Sequence, residues 1–198
     1  MHFPLPPHGG TLIDRTAKGD ERENLLEEIE KLPKITLNER ELADLDMIAC
    51  GALSPLEGFM GKADYESVVG RMRLANDLPW SLPITLTVKD EEASQYPVGH
   101  DVGLWDVQGK PIAILHLEEN FTYDKEHEAE KVYRTKEEAH PGVAALYAQG
   151  EVALGGKVTV VNRVAYSDFL DHRKDPAQLR RVFSDKGWKT IVGFQTRN

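Results

Sequence analysis

Two strand-like stretches joined by a short turn constrain the fold of this 198-residue chain more than any other feature. Val102–Val107 and Ile112–Leu117 are rich in β-branched and apolar residues, and a turn centred on Gly109 lies between them. Such a pair is typical of a β-hairpin. Ile84–Val88 and Val158–Val164 have the same β-branched character. The sequence therefore predicts a β-rich core in the middle of the chain.

Helix signals lie around these strands. Asn38 is followed three residues later by Glu41, which is the pattern of a capping box and predicts that a helix begins there. A separate, earlier helix is predicted over Asp20–Leu32, where apolar residues recur at helical spacing, and Pro33 ends it. Further short helices are predicted over Asp64–Met72 and Val143–Ala148.

One highly charged segment, Asp124–Arg134, predicts an exposed helix, because residues of opposite charge recur there as near neighbours. Its acidic run, Asp124–Glu130, is expected to form a face in contact with solvent.

Near residue 170 the predicted secondary structure changes from mostly strands to a helix followed by a strand. Asp175 and Pro176 form an N-cap followed by proline at the first helical position, and Gly187 is placed to end that helix. Thr190–Phe194 is a continuous apolar run, as expected of a strand buried on both faces of a parallel sheet. The predicted fold class is α+β, with a β-rich domain over residues 1–170 and the beginning of an α/β domain over residues 171–198.

Composition excludes several classes of protein. Lys and Arg total 24 against 33 Asp and Glu, which gives a formal net charge of -9. Such a surface repels a phosphate backbone, so nucleic-acid binding is not expected.

The chain has no run of about 18 apolar residues, so no membrane span is expected and the cytoplasm is the default location. The single cysteine, Cys50, lies in an apolar stretch and is expected to be a buried, unreactive thiol.

Four polar residues, Gln195 to Asn198, come directly after the last predicted strand. Ligands bind just beyond the carboxyl ends of strands in open α/β sheets. Position alone leaves two readings open, a ligand site and a loop that simply leaves the sheet.

Four segments, in order along the chain, resemble elements of the ATP sulfurylase (sulfate adenylyltransferase) family. They are the PHGG of Pro7–Gly10, the LSPLEGFM of Leu53–Met60, the WSLPITL of Trp80–Leu86 and the GFQTRN of Gly193–Asn198. The resemblance implies a PUA-like N-terminal domain followed by the start of a Rossmann-like nucleotidyltransferase domain. It also implies that ATP and sulfate are substrates, with Mg²⁺ accompanying ATP, and that the protein is a homo-oligomer. No metal ligand of the chain itself is expected.

The resemblance also assigns roles to the last four residues. Gln195 and Arg197 are implied to bind sulfate, and Thr196, Arg197 and Asn198 to act on the transition state as the catalytic residues. All four, Gln195, Thr196, Arg197 and Asn198, are implied to contact ATP. Arg197 suits this role because a guanidinium is always charged and binds an oxyanion through a fork of donors.

Other polar residues in the matched segments are expected to be structural. Ser54 and Glu57 are predicted to serve packing, and His8 a capping or interface role. The remaining histidines show no metal-ligand spacing; they are His100, His116, His127, His140 and His172.

In the family, an HxxH-type segment that binds the triphosphate follows the QTRN motif, and it would lie beyond Asn198. We therefore expect this chain alone to be inactive. The alternative is a non-catalytic scaffold or oligomerisation module, with RNA binding, known from other PUA-like folds, a distant third.

Overall fold

The computed structural model describes residues 5–194, and one mixed sheet organises them. Its strands are β1 (Lys34–Thr36), β2 (Gly58–Phe59), β3 (Leu86–Val88), β4 (Asp101–Trp105), β5 (Pro111–Thr122) and β6 (Val152–Val160). The order across the sheet is β1-β4-β5-β6-β2, and β3 also pairs with β6. β1 runs parallel to β4, whereas every other pairing is antiparallel.

The helices precede, separate and follow these strands. They are α1 (Gly19–Ile29), α2 (Glu39–Ala49), α3 (Lys62–Arg71), α4 (Asp90–Ala93), α5 (Lys125–Glu128), a π-helical turn (Ala129–Tyr133), α6 (Pro141–Tyr147) and α7 (Pro176–Asp185). None of the helices within residues 5–194 is long and apolar enough to span a bilayer.

Apolar clusters cover both faces of the sheet. Ile114 and Leu115 are successive residues of β5, so their side chains lie on opposite faces. Leu115 belongs to the main cluster together with Leu45 of α2. Ile114 packs instead with Ile29 of α1 in a second cluster. The mixed architecture agrees with the predicted α+β class.

The predicted hairpin is confirmed, since β4 and β5 pair in antiparallel register. The prediction for the last strand of the sheet was wrong at both ends. β6 begins at Val152 rather than at Val158, and it ends at Val160 rather than at Val164. It is longer because β5 extends to Thr122, and Thr122 pairs with Val152.

The capping box at Asn38 is confirmed. The Asn38 side chain accepts a hydrogen bond from the Glu41 backbone N–H, and the Glu41 carboxylate accepts one from the Asn38 backbone N–H, both at 3.0 Å. These two bonds satisfy backbone donors that would be unpaired at the start of α2.

The segment Asp124–Arg134 is helical but is not a solvated face throughout. It forms α5 and then the π-helical turn, and Glu128, the last residue of α5, is buried with a relative exposure of 6%. The expectation of a uniformly exposed acidic run was therefore wrong at Glu128. The carboxylate is accommodated because the Tyr65 hydroxyl donates to it at 2.7 Å.

Near the C-terminus, α7 forms where Asp175 and Pro176 predicted it, and Gly187 follows it with a φ of 65°. The strand predicted over Thr190–Phe194 is not formed, and Val192 and Phe194 are 91% and 88% exposed. A strand is stable only beside a neighbour with which it can pair. The six strands within residues 5–194 form their sheet without this segment.

Candidate functional site at the C-terminal segment

All four predicted site residues lie outside the described residues. Gln195, Thr196, Arg197 and Asn198 follow Phe194, the last residue that the structure describes. Their assigned roles therefore stay predictions.

α7 is the last helix of residues 5–194 and precedes this motif in the sequence. Asp175 caps the helix, and its own backbone N–H donates to the Gln178 side chain at 2.9 Å. After the helix, Trp188 folds back and stacks on Phe183, with ring centroids 6.0 Å apart, and its backbone N–H donates to the Phe183 carbonyl. These contacts hold Trp188 against α7.

A polar cluster joins α7 to the rest of the chain, and we name it the junction cluster: Asp46, Arg163, Tyr166, Arg173 and Asp175. Arg163 donates from Nε to Asp46 Oδ1 at 2.5 Å, and from its two terminal nitrogens to the two oxygens of Asp175 at 3.2 and 3.3 Å. Burial by itself lowers the pKa of Arg163, but its bonds to the two carboxylates outweigh that effect and raise it. Arg163 is therefore a permanent cation between two anions.

His8 in the N-terminal PHGG element is held against another matched segment. Its Nε2 lies 3.0 Å from the Pro79 carbonyl oxygen, and its ring centroid is 6.1 Å from that of Trp80. These contacts fit the predicted interface role.

Ser54 and Glu57 make the contacts expected of structural residues. The buried Ser54 hydroxyl donates to the Gly51 carbonyl at 2.7 Å and accepts from the Ile13 N–H at 3.0 Å. Glu57 forms ion pairs with Arg15 at 3.1 Å and with Lys157 at 3.2 Å. Both residues thus tie the N-terminal arm and β6 to the loop between α2 and β2.

A cleft of about 900 Å³ lies between α2, α4 and the α6–β6 connection. Its walls carry two basic residues, Arg40 and Lys89, and five acidic ones, Glu41, Asp90, Glu91, Glu92 and Glu151. The pKa of Glu41 is raised by burial, although its bond to Asn38 acts in the opposite sense. The excess of carboxylates makes this cleft unfavourable for free polyanions.

The groups that could bind a metal ion or act as a thiol nucleophile were located among residues 5–194. Within residues 5–194, no group of three or more His, Cys, Asp or Glu residues is placed to hold a metal ion. Cys50 is partly exposed rather than buried as predicted. Its remaining burial raises the pKa of the thiol, which keeps it protonated near neutral pH.

Two features were missed by the sequence reasoning, the buried Tyr65–Glu128 pair and the junction cluster. Asp46 and Arg163 are separated by 117 positions, so no local pattern could have paired them. A weak signal for Glu128 was its neighbour Ala129, which is the one apolar residue of the acidic run 124–130.

Comparison with known families divides the chain into two consecutive matches. Residues 5–163 match a family described as a PUA-like domain, and residues 171–198 match the family described as ATP-sulfurylase. Fold and matches together define the class, a PUA-like domain that leads into an ATP-sulfurylase unit. The chain belongs to the ATP-sulfurylase family.

Curated relatives are similar to the chain over nearly all of its length. A sulfate adenylyltransferase of Synechococcus elongatus is 52% identical over 194 residues, which are 98% of this chain and 49% of the relative. One of Symbiobacterium thermophilum is 49% identical over 198 residues, 100% of this chain and 50% of the relative. The chain spans about half the length of the curated relatives it matches.

A solved structure shares the fold. It is described as the hexameric APS kinase from Thiobacillus denitrificans, and it matches with a TM-score of 0.70 and 30% sequence identity. The match covers 92% of this chain and 32% of that one.

Proposed function

We propose that a protein of the relatives' length that begins with this chain transfers the adenylyl group of ATP to sulfate. The products are adenosine 5′-phosphosulfate and pyrophosphate. The observation that carries the proposal is the identity of about half the residues, over nearly the whole chain, with proteins named sulfate adenylyltransferase. The QTRN motif of residues 195–198, within the ATP-sulfurylase match, supports it further.

The chemistry demands charge stabilisation rather than a nucleophile from the protein. A sulfate oxygen forms a bond to the α-phosphorus while the bond from that phosphorus to the pyrophosphate oxygen breaks. Sulfate is fully ionised near neutral pH, so no general base is required. The barrier comes from bringing two anions within bonding distance, which favours positioned cations and N–H donors.

The motif supplies such groups. In our proposal Gln195 donates an amide N–H to sulfate, and the Arg197 guanidinium binds sulfate and then the charge that develops at the α-phosphorus. Thr196 and Asn198 donate to α-phosphoryl oxygens in the transition state. All four residues thereby contact the ATP phosphates or the sulfate.

Mg²⁺ belongs to the proposal as part of the MgATP substrate. Magnesium in such sites is commonly held by substrate phosphates and water, with few protein ligands. When bound, it neutralises charge on the phosphates.

The proposal also covers the domain boundary, the oligomeric state, the class of substrate and the cellular location. We place the domain boundary near residue 170, which is supported by family matches that end at 163 and resume at 171. Assembly as a homo-oligomer is supported by the solved structure described as hexameric. The net charge of -9 favours small-molecule substrates over nucleic acid, and a cytoplasmic location fits the single cysteine.

The test uses a joined protein, in which residues 1–198 are followed by the second half of the Synechococcus elongatus relative. Pyrophosphate release that requires both ATP and sulfate is expected from the joined protein, and no release from the 198-residue chain alone. The intact relative is the positive control. Turnover by the chain alone would contradict the proposed division of the site. A folded joined protein without turnover would favour the non-catalytic module.

A further inference from the structure

Three polar side chains on neighbouring strands form a continuous chain of hydrogen bonds on one face of the sheet. His116 Nδ1 lies 2.8 Å from a carboxylate oxygen of Asp101, and His116 Nε2 lies 2.9 Å from the hydroxyl oxygen of Thr159. We call Asp101, His116 and Thr159 the sheet triad. Its members come from β4, β5 and β6, so the sheet joins residues that are far apart in the sequence.

The register of the strands brings these side chains together. His116 pairs directly with Asp101 of β4 and with Lys157 of β6. Thr159 lies two residues beyond Lys157, so its side chain is on the same face. A diagonal neighbour of this kind is within reach of an aromatic ring. Because all three residues belong to paired strands, their geometry is held more precisely than it would be on loops.

The carboxylate determines which nitrogen of the imidazole carries the proton. An ionised carboxylate only accepts hydrogen bonds. The bond to Asp101 therefore places the proton of neutral His116 on Nδ1 and leaves the lone pair of Nε2 facing the Thr159 hydroxyl. Thr159 donates to this lone pair. The arrangement is that of a nucleophile, a general base and a group that orients the base.

The sheet triad is open to solvent. The side chains of His116 and Asp101 are 38% and 35% exposed, and Thr159 is partly exposed. A small reactant can therefore reach the Thr159 hydroxyl.

Lys157 adds a positive charge and a cavity beside the sheet triad. Its ammonium group pairs with Glu57 at 3.2 Å, and its side chain is 52% exposed. A cation in this place favours negative charge that develops on a carbonyl oxygen. Lys157 also lines a cavity of about 320 Å³ whose walls include Gly155 and Gly156. A cavity of this size suits a small organic molecule.

We propose that the sheet triad is a nucleophilic site, at which Thr159 takes an acyl group from a small carboxylic ester and passes it to water. This activity is separate from adenylyl transfer and does not involve residues 195–198.

The reaction has two balanced steps. In the first, the Thr159 hydroxyl oxygen bonds to the acyl carbon and its proton moves to His116 Nε2. The bond from that carbon to the ester oxygen then breaks, and the alcohol leaves with the proton from Nε2. In the second, water attacks the acyl carbon and gives a proton to Nε2. The carboxylic acid leaves, and that proton restores the Thr159 hydroxyl.

The experiment incubates the 198-residue chain with p-nitrophenyl acetate. We expect a burst of nitrophenol and an acetyl group on Thr159, located by mass spectrometry of peptides. Thr159→Val keeps the shape of the side chain without its hydroxyl, so acetylation at residue 159 should be lost and hydrolysis should fall at least about tenfold. General-base catalysis typically contributes about 10²–10⁴-fold. Thr159→Ser keeps a hydroxyl and should retain both activities.

Matched variants separate the sheet triad from other reactive groups. His116→Gln removes the base and should lower hydrolysis as Thr159→Val does. His127→Gln removes an exposed imidazole elsewhere, and Thr36→Val removes an exposed threonine hydroxyl of β1. Neither control should change hydrolysis or the acetylation of Thr159. Thermal melts show that each variant is folded.

Asp101 touches no reactant and acts as a positioning residue. Asp101→Asn should lower the rate of acetylation about tenfold or more, because an amide can donate to Nδ1 and so place the imidazole proton on Nε2. Asp101→Glu restores a carboxylate and should recover part of the rate. A purely structural Asp101 would instead lower the Tm of Asp101→Asn and leave the rate of acetylation unchanged.

Three results would overturn the proposal. The first is acetylation confined to lysines, with none on Thr159. The second is hydrolysis by folded Thr159→Val at the rate of wild type. The third is retention of Thr159 acetylation in His116→Gln, which would show that the imidazole is not its base.

Discussion

The Tyr65 hydroxyl donates a hydrogen bond of 2.7 Å to the Glu128 carboxylate in the interior of the protein. Tyr65 comes from α3, and Glu128 is the last residue of α5, directly before the π-helical turn. Burial raises the pKa of Glu128, although the bond from Tyr65 and the charge of Arg40 act in the opposite sense. Burial also raises the pKa of Tyr65, and the Glu128 charge adds to that effect.

Glu128→Gln should therefore stabilise the protein at neutral pH. Because the pKa of Glu128 is raised in the folded state, its contribution to stability is greatest while it is protonated in both the folded and the unfolded protein, below about pH 4. It decreases as the pH rises through the pKa of the folded state. Glutamine accepts the Tyr65 bond without a charge, so we expect its Tm to exceed that of wild type by a few degrees at pH 7.5 and to match it near pH 4.

Glu130→Gln is the control for this effect, because Glu130 is exposed on the same segment and pairs with Lys136 at 3.7 Å. Thermal melts of this variant should follow wild type at both pH values. A Glu128→Gln variant that lost stability at pH 7.5 would show that the ionised carboxylate contributes favourably in the fold.

Ser54→Ala should destabilise the protein without affecting chemistry. The change removes the acceptor for the Ile13 N–H and one donor to the Gly51 carbonyl, in a buried place. A buried group left without its partner costs about 1–3 kcal/mol. Urea unfolding should show this loss, with little change for the exposed Ser81→Ala. Normal stability combined with lost turnover in the joined protein would instead assign Ser54 a catalytic role.

Gly58→Ala tests the close approach of β2 to β6. A Cβ at residue 58 would lie 1.9 Å from the Gly156 carbonyl oxygen, so the two strands would have to separate. We expect a loss of about 1–3 kcal/mol in the free energy of unfolding, as for other overpacked sites. Chemical denaturation measures this loss directly.

Gly70→Ala is the matched substitution, because Gly70 lies in α3 and an added Cβ there meets nothing within 4 Å. Alanine favours the helix by about 0.5–1 kcal/mol over glycine, so this variant should gain stability. Equal effects of the two substitutions would contradict the close packing of β2 on β6.

Local signals predicted much of the fold. The Asn38–Glu41 capping box, the β4–β5 hairpin and the start of α7 follow from contacts between residues near in sequence. β6 was predicted too short because Gly155 and Gly156 interrupt its β-branched pattern, although pairing with β5 continues through them. Tertiary pairing there outweighs local propensity.

The site was less predictable from the residues alone. The position of Gln195–Asn198 after an apolar run suggested a ligand site, but the assignment of roles came from the resemblance. The junction cluster depends on a contact between positions 46 and 163, which no periodicity encodes. Burial of Glu128 likewise depends on Tyr65, which lies 63 positions away.

In the proposed function, Arg197 binds sulfate and stabilises the transition state. The direct measurement is kcat/KM for sulfate in the joined protein and in its Arg197→Ala and Arg197→Lys variants, with thermal melts to confirm folding. Loss of one well-placed oxyanion donor costs about 10²–10³-fold, or roughly 3–4 kcal/mol. We predict that Arg197→Ala loses at least that much and that Arg197→Lys recovers little, because lysine lacks the bidentate fork. Retention of kcat/KM within about threefold of wild type by either variant, below roughly 0.7 kcal/mol, would contradict the account.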